Sequence, residues 1–256
     1  MIQDITSKKD ASGFLLRLSS LILFLLCWGL AAYVAATPML PGPWEVAVNM
    51  FSHIHDGDLL YHTGVTLLRV AVAFALSMVI GTAIGIFMGR SKTLDSFFDG
   101  WLVLGLNFPA LVIIILCYIW FGLTEVAAVV AVAINKIPLV VVTVREGARA
   151  VDRELLQVSQ VYRLSWHKTL FKVYLPQLYP YLMAAARSGL AMIWKIVLVV
   201  ELLGRSNGVG FQLHGYFQFF DIASILAYAL AFIGVVMFFE MAVLKPVEEK
   251  LTRWRL

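Results

Sequence analysis

The chain has 256 residues, 61% of them hydrophobic and 14% charged, with a formal net charge of +4 and a mean hydropathy of +0.86. Soluble domains run at about 45–50% apolar and about 25% charged, so a soluble enzyme and a disordered regulator are poor readings of this composition. Two cysteines, Cys27 and Cys117, both inside apolar runs, give no disulfide framework for a secreted scaffold.

Crossing a hydrocarbon core of ~30 Å takes about 20 mostly apolar residues in a helix. Six stretches qualify: 18–36, 64–89, a third within the charge-free segment 100–124, then 126–144, 179–203 and 222–244. Lys8, Lys9 and Arg17 precede the first, and residues 18–44 carry no charge, which suits a retained span better than a cleaved leader. Fifteen of the 20 Lys and Arg residues fall before span one, between spans two and three and spans four and five, and after span six; the opposite set of loops holds Arg205 alone. That bias predicts six crossings with both termini in the cytoplasm.

Within the spans, Gly81, Gly85 and Gly89 recur at four-residue spacing and predict a face where another helix approaches closely. Asn107-Phe108-Pro109 and Asn135-Lys136-Ile137-Pro138 put prolines inside apolar runs, where each is expected to kink its helix. Gly85 to Lys92 superficially suggests a phosphate loop, but the spacing is wrong; if ATP powers this protein, another chain binds it. Charges inside spans are costly and normally face a cavity or a partner. Arg69, Lys136, Lys195 and Glu201 fall in this class. Two readings stay open: Arg69 or Lys195 pairs internally with Glu201, or Lys136 and Lys195 line a path that attracts an anion. Asn107, Pro109, Lys136, Lys195 and Glu201 are the candidate path residues.

His53, His55, Asp56, Asp58 and His62 cluster in the first outer loop, read as a solvated segment that touches a partner rather than as a metal site. Tyr216, Phe217, Phe219 and Phe220 read as an interfacial aromatic belt ahead of span six. The longest basic loop, 145–177, holds Asp152 as a helix N-cap, a short amphipathic helix from Leu155, a break near Arg163-Leu164-Ser165, and a second helical stretch from Trp166 to Tyr174 closed by Leu175-Pro176.

That segment resembles the "EAA loop" of binding-protein-dependent ABC importer permeases: Glu-Ala-Ala, three residues, Gly, nine residues, an aliphatic, any residue, Leu-Pro. Gln157-Val158-Ser159 occupies the triplet, Arg163 the glycine position, and Val173 with Leu175-Pro176 the end. Leu40-Pro41-Gly42-Pro43, Thr66-Leu67-Leu68-Arg69, Ile119-Trp120-Phe121-Gly122 and the stretch from Trp194 through Glu201-Leu202-Leu203 to Gly208-Val209-Gly210 are similar to segments of the nitrate/sulfonate/taurine permease subfamily. The resemblance implies an all-α integral membrane protein of six transmembrane helices with the type I importer (MetI-like) permease fold, one permease domain over 1–256, in a bacterial inner membrane. It implies a partner ATPase dimer that binds ATP and magnesium, a periplasmic substrate-binding protein, a second permease copy, and a small anionic nutrient; no cofactor in this chain, no catalytic residue and no nucleic acid are expected. Gln157, Val158, Ser159, Arg163, Leu164, Ser165, Leu175 and Pro176 would dock on the ATPase. The rival readings are a secondary transporter driven by an ion gradient and a membrane-embedded metal enzyme built on the outer His/Asp cluster.

Overall fold

A computed structural model describes residues 2–247, and their side chains at 16, 18–243 and 245–247. It is helical throughout: α1 (Ile2–Ala35), α2 (Pro43–His55), α3 (Leu59–Arg90), α4 (Lys92–Asn107), α5 (Ala110–Phe121), α6 (Glu125–Arg149), α7 (Arg153–Val161), α8 (Trp166–Thr169), α9 (Leu175–Gly204), α10 (Val209–Gln218) and α11 (Ile222–Phe239). A π-helical turn, Leu170–Tyr174, joins α8 to α9, and another, Glu240–Leu244, follows α11. The basic residues counted at the two ends (Lys8, Lys9 and Arg17 by their side chains; Lys250, Arg253 and Arg255 entirely) lie outside the described residues.

Among the described residues, five helical segments are long and apolar enough to cross a membrane: Leu18–Ala35, Leu59–Arg90, Glu125–Arg149, Trp166–Gly204 and Ile222–Val247. The third expected span is different. Helices α4 and α5 meet at a 95° bend at Phe108-Pro109, so the apolar run is broken in two, and the pair counts as a sixth span only if taken together. With 12 residues, α5 extends about 18 Å, short of a bilayer core. The cause is local: Phe108 and Pro109 are both extended, as the residue before a proline prefers, and Pro109 lies outside the following helix as its N-cap. Pro138 behaves otherwise, and α6 continues through it.

Helix starts follow side-chain chemistry. The Ser91 and Thr124 hydroxyls accept from Leu94 N–H (3.3 Å) and Ala127 N–H (3.1 Å) to cap α4 and α6. Pro43 opens α2, where its missing N–H costs nothing. The expected outer loop is therefore largely helical, since α2 covers 43–55 and α3 begins at Leu59, five residues before the expected start of span two.

The described residues form two units, one from 2–60 and 213–231 and the other from 61–212 and 232–247. In the first, Trp28 Nε1–H donates to Pro41 O (3.0 Å), tying α1 to the turn before α2. The core of the second is built from Val70 and Ala73 of α3, Ile114 and Cys117 of α5, Ala128, Ala131 and Val132 of α6, and Ile193, Val197 and Val200 of α9. The glycine face predicted on α3 lies against α6. A methyl at Gly81 would sit 2.6 Å from Val140 Cβ, one at Gly85 2.9 Å from Val144 Cβ, and one at Gly89 2.6 Å from Ala148 Cβ. No residue with a Cβ allows this approach without moving a backbone.

Candidate functional site

Arg69, nearly three turns into α3 and only 4% exposed, is the centre of a buried charge cluster. Its Nε and Nη2 donate to the two carboxylate oxygens of Glu125 (2.8 and 2.7 Å), a fork-to-fork pairing. Its Nη1 donates to Glu201 Oε1 (2.7 Å) and to the Asn207 backbone carbonyl (2.9 Å), and Nη2 also reaches the Asn207 side-chain oxygen. All five guanidinium N–H groups are thereby engaged. Glu201, fully buried, takes two further donors on Oε2, the Thr66 hydroxyl and Gly210 N–H, both at 2.9 Å. The Thr66 hydroxyl lies as close to His62 O (3.0 Å), but it has one proton, and the charged carboxylate is the stronger acceptor. Arg205 joins from the far side, on Glu125 and on the Leu123 carbonyl.

The cluster fixes the loop 205–208 between α9 and α10 and the first turn of α10. Gly208 has φ +105°, and a methyl there would collide with the Glu201 carboxylate; one on Gly210 would collide with Leu198 O. Gly208 N–H donates to His62 Nδ1 (2.9 Å), which leaves the neutral ring's proton on Nε2, so the Gln212 side-chain amide 2.6 Å away pairs with it by presenting its oxygen as acceptor. His62 is 5% exposed and is therefore not part of a solvated loop. His53, in the other unit, faces Ser224 Oγ at 3.0 Å and lies against the rings of Tyr216 and Tyr228, where burial pushes the Tyr216 phenol up. Among the described residues no three His, Cys, Asp or Glu side chains are arranged to hold a metal ion.

The candidate path residues do not share one environment. Asn107 is exposed and donates back to Val103 O in its own helix (2.8 Å), beside the bend at Pro109. Lys136 is 2% exposed, and among the described residues its ammonium meets only the Met192 thioether, at 3.1 Å. Lys195 is exposed on α9 with its ammonium 5.5 Å from the Trp194 ring centroid. Of the two internal pairs expected for Glu201, the one with Arg69 forms, whereas Lys195 is exposed and its ammonium lies by Trp194. Sequence reading missed Glu125, Thr66 and Asn207, which Arg69 and Glu201 recruit across 56 to 138 residues of chain.

The α7 segment is built as two helices and a sharp turn. The Asp152 carboxylate accepts from Glu154 N–H (2.7 Å) to start α7. Arg163 closes it in the left-handed conformation, φ +49°. Arg163 N–H donates to Gln160 O and Leu164 N–H to Ser159 O, both 2.9 Å, the paired bonds of a Schellman cap whose pivot is normally glycine. Ser165 precedes α8 as its N-cap, without a side-chain cap bond. Gln157 and Val158 are exposed on α7, whereas Ser159 is 2% exposed and turned inward, its hydroxyl on Leu156 O (2.7 Å). Val161, Tyr162 and Trp166 are at least two-thirds exposed and Leu164 is 38% exposed. Leu175-Pro176 does not close the second helix. Leu175 N–H reaches back five residues to Leu170 O, and the widened turn places Pro176 at the start of a new α-register, where it has no bond to lose. The helical path from Trp166 therefore runs on to Gly204.

Comparison with known proteins is consistent over most of the chain. Residues 81–244 match the family model described as the inner membrane component of binding-protein-dependent transport systems. The chain is 30% identical to SsuC of Bacillus subtilis, named as an aliphatic sulfonates transport permease protein, over 87% of this chain and 80% of that one. It is 25% identical to the taurine transport system permease protein TauC of Escherichia coli, over 91% and 86%. Among solved structures it superposes on a chain of the MetNI methionine ABC transporter in an inward-facing conformation, with a TM-score of 0.65 at 16% identity, covering 75% of this chain and 95% of that one.

Proposed function

The chain belongs to the family of inner membrane components of binding-protein-dependent transport systems, and from that premise we infer how it works and what it carries. It is a multi-pass membrane permease subunit of an ABC importer, and ATP hydrolysis is the work of a separate ATPase subunit. Family membership also implies a substrate-binding protein as a partner.

Our reading is that the permease moves a small oxyanion, of the sulfonate or taurine type, through a path built by two copies of this chain. The names of the relatives point to that class, and Lys136 supports it: a cation this deeply buried, with no carboxylate partner among the described residues, is costly in a membrane helix unless a ligand visits it. In the proposed topology the loop 145–177 is cytoplasmic, in keeping with its basic residues. There α7, the Arg163 turn and α8 form the surface on which the ATPase seats. The observation that carries this is the set of exposed apolar side chains, Val158, Val161, Tyr162, Leu164 and Trp166, on α7, itself too short to be a membrane span, on the turn that follows it and on the first residue of α8. A two-state element biased both by substrate and by ATPase closure is what coupling requires.

Replacing Leu164 by Glu in the assembled, reconstituted transporter tests the assignment. Uptake and substrate-stimulated ATP hydrolysis are expected to fall while the chain still inserts and unfolds at its normal midpoint. Wild-type coupling in that variant would refute the docking assignment.

A further inference from the structure

Beside α7 lies a cavity of about 580 Å³, walled by the C-terminal end of α3, the first turn of α4, the end of α6, the start of α7 and the π-turn before α9. Its charged lining is Arg90, Lys92, Asp95, Arg149 and Arg153. These charges do not cancel. Asp95 is held by Arg145 (3.1 Å) and by Arg149, and Arg149 also takes Glu146 (2.8 Å). Asp152, next to Arg153, is occupied by the α7 cap. Among the described residues, Arg90, Lys92 and Arg153 have no carboxylate partner; Arg90 lies over the Tyr174 ring, 5.4 Å from its centroid. The Tyr174 side chain is part of the same wall, is 4% exposed and carries a buried hydroxyl without a hydrogen-bond partner. Three unneutralised cations from three elements around one cavity, beside an orphaned polar group, make a wall complementary to a multiply charged oxyanion, with the two arginines able to offer paired N–H donors.

We propose that this cavity is a phosphate-binding site on the α7 side of the protein, taking either the headgroup phosphate of an anionic lipid or a small soluble phosphate. Arg90 and Arg153 clamp the anion and Lys92 supplies charge from the start of α4. Leu156 of α7 is in the same wall, so an occupied site holds α7 against α3 and α4. The site is independent of the transported substrate and of whether α7 meets an ATPase.

The test uses the full-length chain purified in detergent, its Arg90→Gln/Arg153→Gln variant, and a control of equal charge loss, Lys168→Gln/Lys172→Gln, which changes exposed residues outside the cavity. One arm measures phosphatidylglycerol against phosphatidylcholine adducts by native mass spectrometry; the other measures binding of radiolabelled orthophosphate by equilibrium dialysis. With both clamping arginines neutralised, the double cavity variant is expected to bind roughly tenfold or more weakly while the control binds as wild type. Loss confined to the phosphatidylglycerol arm identifies a lipid headgroup; loss in the orthophosphate arm identifies a soluble ligand. Equal binding by wild type and cavity variant in both arms, or an equal loss in the control, overturns the proposal.

Discussion

The Arg69 cluster makes a demanding prediction. Glu201→Ala removes the acceptor of three donors: Arg69 Nη1–H, the Thr66 hydroxyl and Gly210 N–H. Thr66 can turn to His62 O, 3.0 Å away, and recover part of its loss. Gly210 N–H has no such alternative, and an orphaned buried donor costs about 1–3 kcal/mol. Arg69 keeps Glu125 but loses its fully buried counter-ion, and breaking one side of a buried pair costs about 3–5 kcal/mol. Together these approach the 5–15 kcal/mol of a whole domain's stability. The expected result is a large fall in the unfolding midpoint in a detergent–denaturant titration, with proteolysis first within 205–210. Arg69→Met is expected to be at least as damaging, because it strands the Glu201 carboxylate. The double variant, however, should lose clearly less than the sum of the two, since neither charge is then left alone. Strict additivity, or a Glu201→Ala cost below about 1 kcal/mol, would refute the cluster as drawn.

Three further outcomes follow from particular contacts. Arg163→Gly should stabilise the protein by about 1 kcal/mol, because a residue with a Cβ pays roughly that to stand in the left-handed region, and Arg163→Val should do the reverse; thermal unfolding reads both. Lys136→Met should raise stability by about 1–3 kcal/mol by removing a buried ammonium that meets only a thioether, while uptake of the oxyanion falls; a variant that is more stable and fully active would take Lys136 off the path. Gly85→Leu should prevent α3 and α6 from closing and yield little folded protein, whereas Gly100→Ala, with nothing within 4 Å, should be neutral or mildly stabilising by the same unfolding assay.

What could be read ahead of the structure was whatever depends on spacing along one helix. The glycine face of α3, the Asp152 cap and most of the spans are patterns of neighbours. The Arg69 cluster is not, because its members come from four elements and Glu125 reads locally as a loop charge at the edge of an apolar run. His62 was grouped with the solvated residues around Asp56 and Asp58, yet α3 starts at Leu59 and turns that ring inward. Pro109 and Pro176 look alike in sequence. One breaks its helix by 95° and the other is absorbed, because a π-turn upstream of Pro176 accommodates the missing N–H. Arg163 could not announce its left-handed backbone, since the residue that normally signals it is glycine.

The unbroken helical path from Trp166 to Gly204 joins the two sites. At 1.5 Å per residue, its 39 residues form a rod of about 58 Å, with the Arg163 turn at one end and Glu201 near the other. A tilt of roughly 5° about one end would swing the opposite end through about 5 Å, as far as one helical turn. On the proposal that the ATPase pushes on α8, Glu201, pinned by Arg69 within a turn of Gly204, would serve as the fulcrum, and the same carboxylate that anchors the loop 205–208 would set how that push is spread along the bundle.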